Sequence, residues 1–461
     1  MTKTVLVIAG EYPPLKTIGR IRTAKFVQHI RSLGWKPVVL TLAYTKDHPL
    51  YVEDLESEIP EDVDVYRVDN DAYDEIIIRG LKKLLSSPPK NAGPEIDASA
   101  KTASAATPGI EPSDISLKDN LLLAFKSFFK NWVHIPDDYI IWSRRATKLG
   151  EEIIARHSID LIYTSLPPIS ACISGYKLKK KTGLPWVVDY RDLWTGDVLR
   201  EWIPPLRNTY EVRLERKLIK EANTVISVSE QKTEYLKALH PDANCRWETL
   251  TNGYDTEVFE PLLQEEHPTH DTINFVYTGR LFKNRKGYAF AEALGQIKAQ
   301  NPDLTSRIRV HIYGGVEASI RSQYQSILQR YDIEDHYVFH GDVDYMDAMR
   351  AQVQSDYLLL IVDTGATSDG VIPGKLFEYI ASKRPIFALC NPGATKEIIE
   401  KSKAGIVIPA EDIESCRLEL EATLKRDVPK GVQFDDEYLS QFERRGITKK
   451  LAQIFDEMTQ A

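Results

Sequence analysis

Val5-Leu6-Val7-Ile8-Ala9, a loop over residues 10–19, a helical stretch over about 21–33 and Pro37-Val38-Val39-Leu40-Thr41-Leu42 follow one another as strand, helix and strand. The two short apolar runs show no polar alternation, as expected of parallel strands covered on both faces. The helix between them closes a right-handed βαβ unit, the opening of a doubly wound α/β domain. The first turn reads Ala9-Gly10-Glu11-Tyr12-Pro13-Pro14 and lacks GxGxxG, so a dinucleotide-dependent dehydrogenase loses its main support.

The pattern continues outward. Residues 63–68, 161–164, 186–189 and 224–228 read as further strands of the first half. A second series comprises 273–278, 309–313, 337–340, 357–362, 385–389 and 405–408. Between the series, residues 259–271 are polar and carry Pro261 and Pro268, which marks them as a linker. The expectation is two Rossmann-like domains facing a cleft, over residues 1–260 and 272–430, with a last helix within 435–461, at about 441–458, packing back on the first.

A chain of 461 residues has room for two such cores. Its hydrophobic content of 43%, charged content of 27% and net charge of −8 suit a soluble globular protein and disfavour a nucleic-acid partner. Cys172, Cys245, Cys390 and Cys416 have neither disulfide nor zinc spacing, which fits a reducing cytoplasm. Residues 1–4 run straight into the first strand without a signal-peptide core, and no run reaches transmembrane length. Residues 86–116 are rich in Pro, Ala, Ser, Thr and Gly and read as a disordered insertion. Residues 119–133 after it pair Leu, Phe and Trp with Lys126 and Lys130, as in a helix lying in a membrane interface; a helix capping the first core is the other reading.

Three loops at strand ends of the second half carry groups suited to an anion. Residues 278–287 place Arg280, Lys283, Arg285 and Lys286 beside Gly279 and Gly287, and Gly314-Gly315 follow the next strand. The third loop leads into Pro373-Gly374-Lys375-Leu376-Phe377-Glu378-Tyr379-Ile380, a helix start with one carboxylate a turn inside it. Helix N-termini present unpaired N–H groups to anions, Arg offers a planar fork and Lys a mobile point charge. The pairs Asp342/Asp344 and Asp62/Asp64 lack further oxygen ligands, so no metal is expected. Ser165, Ser170 and Ser229 lack the Gly-x-Ser-x-Gly elbow of a hydrolase.

Taken in order, Glu11-Tyr12-Pro13-Pro14 with Gly19, Asp189-Tyr190-Arg191-Asp192-Leu193-Trp194, Asn252-Gly253-Tyr254-Asp255, Gly279-Arg280 with Lys286-Gly287, Phe339-His340-Gly341-Asp342-Val343 and residues 373–380 resemble the GT-B retaining glycosyltransferases of family 4, of the bacterial surface-polysaccharide type. The resemblance implies transfer of a sugar from a UDP- or GDP-linked donor to a saccharide or lipid-linked acceptor, with retention and without a metal or other cofactor. It implies that Arg280 and Lys286 hold the diphosphate and that Glu378 binds the ribose hydroxyls. Gly314, Gly315 and Val343 would line the base and sugar pocket, and Gly19 would let its loop approach the phosphates.

The chain also departs from the family. Gly370 stands where a first glutamate is expected, so Asp369, the backbone from Gly370 to Gly374 and Lys375 become the candidates for gripping the donor sugar. Arg191 stands near a common histidine, leaving Asp189, Arg191 and Asp192 as candidates for binding the acceptor or stabilising charge, with a salt-bridged strand end as the other reading of Asp189. A sugar-nucleotide 2-epimerase or a non-catalytic sugar-nucleotide-binding subunit shares the architecture. The expected location is cytoplasmic, with peripheral contact at the inner membrane face.

Overall fold

The computed structural model describes residues 2–70, 132, 134–266, 271–426 and 433–460. The insertion 86–116 and, apart from Trp132, the helix expected at 119–133 lie outside the described residues.

Strands β1 (Lys3–Ala9), β2 (Trp35–Leu42), β3 (Asp64–Val68), β4 (Leu161–Leu166), β5 (Trp186–Tyr190), β6 (Thr224–Ser227) and β7 (Arg246–Thr249) form a seven-stranded sheet in the order β3-β2-β1-β4-β5-β6-β7. All neighbours are parallel. Alternate side chains of β1 explain why both faces need cover. Leu6 and Ile8 join one core with Trp142, Ala146 and Leu178, whereas Val5 and Val7 join another with Phe26, Val27, Leu451 and Phe455. The second face is covered jointly by the helices Ile18–Ile30 and Arg444–Gln460. The chain thus ends on its first half, with Phe455 edge-on to Trp35 at 5.3 Å between ring centres.

Strands β8 (Ile273–Thr278), β9 (Ile308–Tyr313), β10 (Tyr337–Gly341), β11 (Tyr357–Ile361), β12 (Ile386–Leu389) and β13 (Gly405–Ile408) form a second parallel sheet in the order β10-β9-β8-β11-β12-β13. In both sheets the order reverses beside the first strand. Loops therefore part at the carboxyl ends of β1/β4 and of β8/β11, and a crevice opens there.

Two expectations are corrected. Residues Thr256–Leu263 form a helix, with Phe259 and Leu262 buried against Met349, Val353 and Ala381 of the second half, so the first part of the expected linker, residues 259–263, is packed structure. Strand β7 was not expected, because Arg246-Trp247-Glu248-Thr249 is a half-exposed edge strand with little apolar signal. Among the described residues no helix is long and apolar enough to cross a membrane.

Candidate functional site

At the carboxyl end of the second sheet three loops are laced together by backbone. The Gly279 N–H donates to Tyr313 O at 2.7 Å, and the Gly314 N–H to Gly341 O at 2.6 Å. Gly314 has φ +119°, and a Cβ there would lie 2.6 Å from Gly279 O, so a larger residue would break the lacing. Gly315 continues the loop beside the Asp342 carboxylate, with half-buried Val343 next in the facing turn.

The cations of the first loop divide. Arg285 is bidentate to Asp363 at 3.0 and 2.7 Å and lies over the Phe282 ring, so it is committed to holding the loop. Arg280 is exposed and Lys286 half-buried, and neither side chain forms an ion pair or hydrogen bond among the described residues. The Lys286 carbonyl, by contrast, accepts from Tyr324 Oη at 2.8 Å, fixing the backbone beneath its side chain.

The helix Gly374–Ala381 starts after Pro373 without a side-chain cap, which leaves its first N–H groups available. Lys375, in its first turn, turns back under the loop. A Cβ on Gly279 would lie 2.5 Å from Lys375 Nζ, and that ammonium sits 3.9 Å from the Tyr277 ring centre. Nζ is buried and has no hydrogen-bond partner among the described residues. Burial, and then the neighbouring Arg285 charge, push the Lys375 amine well below its ordinary value. One turn on, Glu378 accepts from Gln352 Nε2 at 3.3 Å and Tyr345 Oη at 3.5 Å; burial raises its carboxyl above the ordinary value.

The first half faces this site with the start of the helix Ile18–Ile30. A Cβ on Gly374 would lie 4.0 Å from Ile18 Cγ2, so two uncapped helix N-termini meet across the cleft. Gly19 has no room for a side chain, because a Cβ would lie 1.7 Å from Glu11 Oε2 and 1.9 Å from Arg191 Nη1. Arg191 is buried, pairing with Glu11 at 3.1 Å and donating to Pro167 O at 2.5 Å.

Asp192 is exposed, 3.7 Å from the Nζ of Lys232, whose stem meets Gly370 of the other half. Asp189 is withdrawn from solvent. Fully buried, Asp189 takes two 2.8 Å bonds from Arg22 and one of 2.6 Å from Tyr163 Oη, so it braces the strand end and is corrected from acceptor candidate to structural residue.

Gly370 lies at the contact between the halves. Its carbonyl accepts from Ser229 Oγ at 2.8 Å, and a Cβ there would stand 2.9 Å from Lys232 Cγ. The place of the expected glutamate is therefore filled from the other half. Asp369 beside it is exposed and accepts the Gly370 N–H at 3.0 Å.

The structure thus brings Lys375 under the Arg280 loop and sets Gly374 opposite the turn of Gly19, while Arg191 and Asp192 approach from the first half. Gln352, Tyr345, Tyr277, Lys232 and Arg22 escaped the sequence reading. Gln352 and Tyr345 lie on one helix, Tyr345–Val353, whose polar positions carry no motif. Among the described residues no group of three or more His, Cys, Asp or Glu is arranged to hold a metal ion.

Residues 272–425 match the family described as Glycosyl transferases group 1, and residues 132–253 match the Glycosyl transferase 4-like domain. No curated protein matches the chain in sequence. Among solved structures, a glycosyltransferase from Rickettsia africae superposes with a TM-score of 0.62 at 14% identity, covering 99% of this chain and 98% of its own. Sucrose-phosphate synthase from Thermosynechococcus elongatus gives 0.57 at 14% identity, covering 99% and 96%. Anabaena HepE in complex with UDP and glucose gives 0.54 at 13%, covering 99% and 97%. At such identities the likeness is one of fold, and it spans both halves together. With a glycosyltransferase family matched in each half and the fold shared over the whole length, the chain is a GT-B glycosyltransferase.

Proposed function

We propose that this glycosyltransferase is a retaining, metal-independent enzyme of family 4 that moves a sugar from a UDP- or GDP-linked donor to a saccharide or lipid-linked acceptor in cell-surface polysaccharide synthesis. The observation that carries the donor site is the buried, unpartnered ammonium of Lys375 beneath Gly279. A buried cation without a partner is costly, and a diphosphate is the group that would satisfy it. Arg280, Lys286 and the N–H groups from Gly374 onward complete the cradle, and Gly19 closes it from the opposite side.

In this reading Glu378 accepts the ribose hydroxyls, while Gly314, Gly315 and Val343 line the base. Asp369 and the Gly370 backbone border the donor sugar, and Asp192, with Arg191 behind it, faces the acceptor. The bond from the anomeric carbon to the leaving diphosphate oxygen breaks as the acceptor oxygen bonds on the same face, and the acceptor's hydroxyl proton passes to that leaving oxygen. The cations stabilise the charge that gathers on the diphosphate, so no metal is required. HepE crystallised with UDP and glucose supports a nucleotide-sugar donor on this fold. The donor half is assigned to residues 272–430 and the acceptor half to 1–260, with 435–461 returning to the latter; the enzyme works in the cytoplasm at the inner membrane face.

The test is thermal stabilisation by UDP and GDP with and without EDTA, followed by sugar transfer to a lipid extract. Arg280→Ala or Lys286→Ala should each weaken nucleotide binding by roughly 10- to 100-fold, since each removes a charge-assisted contact. Undiminished binding in both variants would overturn the donor site.

A further inference from the structure

The buried glutamates of the helix Pro205–Ile219 leave an unusual outer face. Glu211 and Glu215 turn inward, where Glu211 takes Arg207 at 2.6 Å and Trp194 Nε1 at 2.7 Å. The outer stripe is Leu206, Tyr210, Arg213 and Lys217, spaced four, three and four residues apart and hence on one side of the helix. Leu206 is 76% exposed and Tyr210 54%.

The loop leading into this helix adds Leu199 at 60% and Trp202 at 48%, and Trp202 lies under the Arg207 guanidinium. Arg207 also donates to His134 O at 3.1 Å, which joins the patch to the stretch beginning at Trp132, itself 45% exposed. Isolated exposed apolar side chains are ordinary; here Leu199, Trp202, Leu206 and Tyr210 are exposed within twelve residues of one loop and helix, with Trp132 a fifth close in sequence to His134.

We infer that this face is a docking surface for a bilayer containing anionic lipids. Trp and Tyr present an apolar body with a polar tip, which suits the headgroup boundary, and the leucines reach the acyl region. Arg213 and Lys217 are exposed, whereas from Leu199 to Lys217 the sole exposed acid is Glu201. In a chain of net charge −8 that balance selects an anionic surface. The patch continues the loop that carries Asp192 and Thr195, so docking would bring the acceptor side of the cleft to the lipid headgroups. The inference narrows the proposed acceptor to a lipid-linked one and rests on that reading of Asp192.

The full chain is tested by co-sedimentation with vesicles of phosphatidylcholine alone and with added phosphatidylglycerol. Binding should require the anionic lipid. Leu206→Glu and Tyr210→Glu should each lower it about tenfold, each replacing an inserted apolar group by a charge of the repelled sign. Both variants should keep the wild-type melting temperature and UDP-induced shift, which report on the fold and donor site separately. Absence of vesicle binding by the wild type, equal binding to both vesicle types, or unchanged binding in both variants would overturn the inference. So would a wild-type dimer in sedimentation that Leu206→Glu dissociates, because a second copy would then own the face.

Discussion

Replacing Lys375 by methionine keeps the length of the side chain and removes its charge. In the nucleotide-free protein the ammonium has lost water and gained no hydrogen bond, a cost of about 1–3 kcal/mol for an unsatisfied buried group, and more when charged. The Tyr277 ring at 3.9 Å returns about 0.5–2 kcal/mol. The net is a penalty near 1 kcal/mol, so Lys375→Met should raise the melting temperature by about 2–4 °C.

The sign with pH follows from the depressed amine. Between its folded value and its ordinary value, the unfolded chain holds a proton that the folded one does not, so wild-type stability rises with pH across that window. Lys375→Met lacks this rise, and its advantage should shrink as pH increases. Nucleotide binding should move the other way. Losing one charge-assisted contact costs about 1.5–3 kcal/mol, or roughly 10- to 150-fold in affinity. Differential scanning fluorimetry over a series of pH values below the ordinary lysine value, with and without UDP or GDP, reads both effects. A variant that melts lower than wild type yet keeps the full nucleotide shift would refute the reasoning.

Gly370→Glu should slow transfer by about tenfold or more while leaving nucleotide affinity within about twofold, because its side chain meets Lys232 and Ser229 across the interdomain contact instead of the phosphates; steady-state kinetics beside calorimetry separates the two. Burial holds the Glu378 carboxyl above its ordinary value, and the ionised form is the one that accepts ribose hydroxyls. Nucleotide affinity should therefore fall as pH drops through that raised value, with a proton released on binding nearby. Calorimetry in two buffers should detect the release in wild type and lose it in Glu378→Gln. Asp189→Ala leaves the Arg22 guanidinium buried without its carboxylate and should cost about 3–5 kcal/mol of first-domain stability, read by urea unfolding.

The architecture was legible because the central strands are apolar runs that only a sheet covered on both faces can bury. β7 was not, since Arg246-Trp247-Glu248-Thr249 has one neighbour, and an edge strand need not be apolar. The helix at residues 256–263 was hidden by Pro261, which the partners of Phe259 and Leu262 override.

The sequence by itself determined two doubly wound units and the segments at their carboxyl ends, because periodicity and helix starts are local properties. It also singled out Lys375 and Glu378 within one octapeptide. Tertiary structure alone decided which charges are free. Arg285 is spent on Asp363, 78 residues away, while its neighbour Lys286 is not. Asp189 is sealed by Arg22, 167 residues away, while Asp192, three residues on, is exposed. Gly370 tells the same story, its missing side chain explained by Lys232 from the other half. Pairing and collision are set by distances in space, and adjacent positions of one loop resolve them in opposite ways.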